Sequence, residues 1–153
     1  MFCIMMSEML GNQYFMARNY VSAEKELEPV YQKESDNKAI RRKLIICYIQ
    51  TRKFDKALDV FYSLVNDDIN FITLADSVLD DCPCVELLNE FDRTHDFNDE
   101  YEYNLSHGML WLYCNETKAA HYLTKALEEN PTNEKLKASI KAIEKYNKSI
   151  QAN

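Results

Sequence analysis

The residues with the most chemical potential in this chain are five cysteines, three histidines and several adjacent carboxylates. Cys82-Pro83-Cys84 sets two thiols one residue apart, a start for a metal or redox site. A closed zinc site needs four ligands, however, and His95, His107 and His121 stand at no zinc-finger spacing from the pair. The motif reads instead as a turn that starts a helix. Cys47 and Cys114 lie inside apolar runs, and the cysteine count is odd, so reduced, buried thiols and no structural disulfide are expected. Asp67-Asp68, Asp80-Asp81 and Asp99-Glu100 are sequence neighbours, which on a helix point to different faces and cannot converge on one substrate atom. They read as caps and solvated charge. No serine, cysteine or lysine stands in a nucleophile motif, and neither Gly11 nor Gly108 belongs to a phosphate loop. The expectation is a protein that is not an enzyme, takes no metal or other cofactor, and packs His107 and His121 in helices.

The elements that must position these residues are helices. The chain has 153 residues, 46% of them hydrophobic, enough for one folded unit with its own core. Two glycines and three prolines leave little turn chemistry, and no stretch has the β-branched, turn-punctuated pattern of a sheet. The apolar N-terminus Met1-Phe2-Cys3-Ile4-Met5-Met6 carries no lysine or arginine and stops at Ser7-Glu8, too short for a secretory signal or a membrane span. A cytoplasmic location without membrane attachment is expected. The net charge of -7 is unevenly spread. Residues 33–56 hold eight basic and three acidic side chains, whereas residues 66–104 hold twelve acidic side chains against Arg93 alone. An acidic chain without a dominant basic stripe is a poor nucleic-acid binder, because phosphate neutralisation supplies most of that affinity.

The sequence repeats with a period of 34 residues. Leu10 pairs with Leu44, Tyr14 with Tyr48, Tyr20 with Phe54, Ala23 with Ala57, Leu27 with Phe61 and Val30 with Leu64. Leu and Tyr four apart share one helix face, and a small Ala on the next helix lets the two approach closely. A third instance closes with Lys125-Ala126-Leu127-Glu128-Glu129-Asn130-Pro131, preceded by Ala119 and Leu123. Its first helix, holding Leu105, Gly108 and Trp111, is slipped by about a residue against that period.

These positions resemble the tetratricopeptide repeat, in which a tryptophan, a leucine-glycine pair, a tyrosine, then alanines, a bulky residue and a proline recur over two antiparallel helices. The repeats are degenerate: Ser7 and Arg41 occupy the tryptophan slot, and the first repeat ends at Ser35-Asp36-Asn37 without proline. The resemblance implies an all-α fold, a right-handed α–α superhelix of about nine helices in a single domain over residues 1–153. Repeats fall near 4–37 and 38–71, an atypical pair near 69–92, another repeat near 99–131, and a capping helix at 133–150. The predicted helices are 3–17, 20–33, 36–51, 54–66, 69–80, 83–92, 99–113, 116–129 and 133–150. In the middle pair Ile69, Ile72 and Leu79 are expected to supply an apolar face. Asp81-Cys82-Pro83 starts the following helix, and Thr132 or Asn133 caps the last, in which Leu136, Ile140 and Ile143 form a buried stripe.

In such arrays the first helix of each pair lines a concave groove that holds a protein or peptide segment. The resemblance therefore names Glu8, Asn12, Phe15 and Met16 in the first repeat, and Arg42, Lys43, Ile46, Ile49 and Gln50 in the second, as partner-binding candidates. Ile46, Ile49 and Met16 serve equally as core, since packing and groove faces adjoin. One branch of the family clamps a peptide's terminal carboxylate with lysines and asparagines. Asn12 fits that clamp, but Glu8 stands in the lysine slot and Thr73 and Ser77 where further cations are needed, so the clamp is not expected. A mixed apolar and charged groove is, with a generic scaffold or adaptor role. The alternatives are a secretion chaperone of the tetratricopeptide class, or a homodimer through the methionine-rich first helix, Met1, Met5, Met6 and Met9.

Overall fold

The computed structural model describes every residue except Met1, Asp81, His95 and Asp96, with the backbone alone at Phe2 and Thr94. Among the described residues there are nine helices and no strand: α1 Phe2–Met16, α2 Tyr20–Lys33, α3 Lys38–Gln50, α4 Phe54–Asp68, α5 Asn70–Thr73, α6 Cys84–Thr94, α7 Glu100–Trp111, α8 Glu116–Glu129 and α9 Glu134–Gln151. Every helix but the fifth ends within two residues of the sequence expectation. The chain is organised as two compact units, Met1–Leu64 and Val65–Asn153.

Helix starts are set by asparagine and aspartate. The side chains of Asn19, Asn37, Asp99, Asn115 and Asn133 each accept the backbone N–H three residues on, at 2.8 to 3.2 Å. Each such cap satisfies a donor that the helix cannot satisfy internally, and is worth about 1 kcal/mol. Helix stops repeat as well. Arg18 and Arg52, one period apart, both adopt positive φ, 62° and 64°. In each turn the next residue's N–H returns to the repeat tyrosine's carbonyl, Asn19 to Tyr14 at 2.9 Å and Lys53 to Tyr48 at 2.8 Å. This is the Schellman closure, formed here on arginine where glycine is the usual choice.

In the first unit α1 packs on α2 and α2 on α3. The repeat positions on the second helices, Ala23 and Ala57, Leu27 and Phe61, Val30 and Leu64, are all fully buried. Gly11 is where α1 meets α2: a Cβ there would lie 2.5 Å from Leu27 Cδ2. In the second unit α6 packs on α7, α7 on α8 and α8 on α9. Gly108 repeats the close approach, with Leu123 Cδ2 at 2.5 Å from the same hypothetical Cβ. Leu136, Ile140 and Ile143 form the buried stripe of α9, while Lys135, Lys141, Lys145 and Lys148 face solvent.

The expected helix 69–80 is corrected. Only Asn70–Thr73 is helical, and residues 74–80 form turns in which Leu74, Val78 and Leu79 are exposed, so Leu79 contributes nothing to a core. Asp76 supplies the reason. Its carboxylate accepts the N–H groups of Val78 and Leu79, both at 2.8 Å, and Asp80 accepts the N–H of Asp76 at 2.8 Å. These local bonds offer the backbone an alternative to the helix ladder. The other member of the Asp80-Asp81 pair lies outside the described residues, as does His95.

Candidate protein-binding surface

The groove residues divide by burial. On α1, Glu8 and Asn12 are half-buried and Met16 is exposed, whereas Phe15 is 1% exposed. On α3, Lys43 and Gln50 are half-buried, but Arg42, Ile46 and Ile49 are buried. Phe15, Ile46, Ile49 and Arg42 are thus enclosed, in line with the core reading of Ile46 and Ile49, and Glu8, Asn12, Met16, Lys43 and Gln50 are the accessible candidates. From Ile40 to Ile49 every residue of α3 except Lys43 is buried, so the accessible surface of the helix is confined to Lys38, Ala39, Lys43 and Gln50. The uninterrupted apolar run Leu44 to Ile49, lacking a polar stripe, is the sequence signal for that burial.

Asn12, Phe15 and Lys43 do come together. The Lys43 ammonium donates to Asn12 Oδ1 at 2.7 Å and stands 5.9 Å from the centre of the Phe15 ring, which meets Tyr20 edge-on at 5.9 Å. Beside this polar contact α1 presents Met5, Met6, Met9, Leu10 and Met16, exposed by 38 to 66%. Met5 with Met9, and Met6 with Leu10, stand one turn apart along the helix. Met1, named with them, lies outside the described residues.

A carboxylate network in the first unit has no counterpart in the sequence reading. Glu24, buried, accepts the Thr51 hydroxyl at 2.6 Å and pairs with Lys53. Glu28 accepts the Tyr48 hydroxyl at 2.7 Å and the Lys56 ammonium at 3.2 Å. Burial opposes ionisation of Glu28, but the Tyr48 and Lys56 donors outweigh it and hold its carboxyl below the ordinary range. Burial, then the bond to Glu28, pushes the Tyr48 phenol up, so it remains a donor. The repeat tyrosine is thereby tied to the preceding helix.

Among the clefts of the second unit are two that sequence neighbours alone do not foretell. One of about 610 Å³ is lined by Asp67, Asp68 and Ile69 on one side and Lys141, Lys145 and Tyr146 on the other. The Thr73 hydroxyl donates to Tyr146 at 3.0 Å. A second, of about 580 Å³, is lined by Phe97, Asp99, Tyr103, Tyr122 and Lys125. Behind it His107, 1% exposed, donates from Nδ1 to the Tyr103 carbonyl at 2.8 Å, with its Nε2 3.4 Å from Asp92 Oδ1. Its ring stacks on Tyr103 at 3.9 Å between centres and adjoins Tyr122, Phe91 and Phe97. His107 is thus a core histidine, as its apolar setting implied, while His121 is exposed.

The cysteines also depart in part from expectation. Cys47, Cys82 and Cys84 are buried, but Cys114 sits in the turn after α7 and is exposed. Burial, with the Glu24 charge, pushes the Cys47 thiol up to about 12. Among the described residues no group of three or more histidine, cysteine, aspartate or glutamate side chains is disposed to hold a metal ion. No described helix is long and apolar enough to cross a membrane.

Residues 14–69 match the family model described as Tetratricopeptide repeat. That stretch runs from Tyr14 through α2, α3 and α4, and carries both repeat closures on Arg18 and Arg52. No curated protein and no solved structure matches the chain. The family is generally a protein-interaction scaffold and typically non-catalytic.

Proposed function

We propose that this chain, with its degenerate tetratricopeptide array, is a non-catalytic scaffold whose first unit takes a segment of another protein against α1. The observation that carries the reading is the row Met5, Met6, Met9, Leu10 and Met16, open to solvent beside the Asn12–Lys43 contact. Unbranched thioether side chains repack at low cost, which suits a surface that accepts apolar anchors of varied shape. The fitting partner is an amphipathic helix or extended segment with apolar anchors and acidic flanks. The half-buried Lys43 and the exposed Arg52 supply complementary charge in the same unit. Arg42, being buried, has no direct part in this contact.

The experiment is affinity capture from extracts of the source cell with the wild-type chain and with a Met5→Glu, Met9→Glu variant. Both positions are more than 60% exposed, so the fold should tolerate the charges. A protein retained by the wild type and lost from the variant, at equal melting temperature, is the expected result. Equal capture by both would remove α1 from the reading. Partners confined to secreted substrates would narrow the scaffold to the chaperone role.

A further inference from the structure

Three thiols that take no part in the binding surface meet in the second unit. Cys84, the first residue of α6, is buried, and its Sγ lies 3.2 Å from Sγ of Cys114 in the turn between α7 and α8. Cys82, also buried, stands two residues before Cys84. Thirty residues separate Cys84 from Cys114, so the encounter is a product of the fold. It pairs an exposed thiol with a sealed one directly behind it, the layout of an attacking cysteine with a resolving partner.

We propose that Cys84 and Cys114 form a reversible thiol-modification site, converted to a disulfide by exchange with a low-molecular-weight disulfide of the glutathione class. Cys114 Sγ, the thiol within reach of such a molecule, passes its proton along the hydrogen bond to Cys84 Sγ as it attacks one sulfur of the reagent. The reagent's S–S bond breaks, and the departing thiolate takes up a proton to leave as one thiol. Cys84 Sγ then attacks Cys114 Sγ in the mixed disulfide, expelling the second thiolate, which takes up the proton that Cys84 gave up. Two protein thiols are oxidised to one disulfide and one reagent disulfide is reduced to two thiols, so atoms and electrons balance.

Cys84 is suited to the second step. The S–H groups of Cys114 and Cys82 and the Val85 N–H at the start of α6 hold its thiol well below the usual range, while the same hydrogen bonds to Cys84 push Cys82 and Cys114 up. When Cys114 enters the mixed disulfide its donation ends, but the Val85 N–H at the start of α6 remains. Cys82 is the poorer disulfide partner, because a bond to a cysteine two positions along the chain is strained.

The test uses the full chain with Cys3→Ser, which removes an exposed thiol in the first unit. After exposure to oxidised glutathione under native conditions, the protein is alkylated in denaturant and digested without reductant, and its peptides are mapped by mass. The expected result is the loss of two of the four remaining thiols and a peptide linking Cys84 to Cys114, released by dithiothreitol. Adding Cys82→Ser should preserve the link, and adding Cys114→Ser should abolish it and leave Cys84 unmodified. Four alkylatable thiols after oxidation, glutathione retained on Cys114, or a Cys82–Cys84 link would each overturn the proposal.

Discussion

Glu28 joins the repeat to its neighbour through one carboxylate, since Tyr48 and Lys56 both donate to it. Its carboxyl is held below the ordinary value, so the charged form is stabilised in the folded state. The stability it supplies is therefore complete above the unfolded carboxyl's value of about 4.3 and is lost as pH falls through the lower folded value. Glu28→Gln keeps an acceptor for Tyr48 but no charge, and should lower stability at neutral pH by about 1 kcal/mol. Urea unfolding at pH 7 and at successively lower pH checks this: the gap between wild type and variant should shrink progressively as the pH falls below the unfolded carboxyl's value. A gap independent of pH would mean that the Glu28 charge contributes nothing. Nothing in the sequence marks Glu24 or Glu28, because neither stands at a repeat position. Their partners lie 20 to 29 residues on and reach them only after α2 and α3 have folded.

At the scale of elements, two helix pairs depend on a missing side chain. Gly108→Ala gains about 1 kcal/mol of helix propensity, yet overpacking a filled contact costs about 1 to 3 kcal/mol. The new Cβ would stand 2.5 Å from Leu123 Cγ and 3.0 Å from the Leu123 backbone nitrogen, which cannot rotate away. Thermal denaturation should show a lower midpoint for Gly108→Ala. It should show a smaller loss for Gly11→Ala, where the three atoms nearest the new Cβ all belong to the side chains of Leu27 and Glu26. A raised midpoint at Gly108 would mean that α7 and α8 stand farther apart. The elements themselves were largely legible, since the spacing Leu-Tyr-Ala and the asparagines before α2, α3, α8 and α9 act within a few residues of themselves. The segment 69–80 was not: Ile69, Ile72 and Leu79 mimic a helical stripe. Asp76 and Asp80 compete for the backbone N–H groups, and apolar periodicity does not register that competition.

For the whole molecule, the exposed apolar residues of α1 determine whether the chain binds itself or another protein. Met5, Met6, Met9, Leu10 and Met16 expose on the order of 500 Å², short of the roughly 800 Å² per partner of a stable interface but within the patch size of a functional monomer surface. Light scattering at micromolar concentration should give a monomer of 18.0 kDa. A dimer that Met5→Glu, Met9→Glu dissociates would assign α1 to self-association instead. The amino-acid sequence by itself determined the helical class, the 34-residue repeat that over residues 14–69 matches the tetratricopeptide model, and the lack of any recognisable catalytic motif. Those properties rest on periodicity and local caps, which act between residues a turn or a repeat apart. Tertiary structure alone decided which faces remain open. Burial of a side chain depends on neighbours contributed by distant helices. Phe15, Arg42, Ile46 and Ile49 are enclosed while the α1 methionines are not, and Cys114 comes to rest against Cys84.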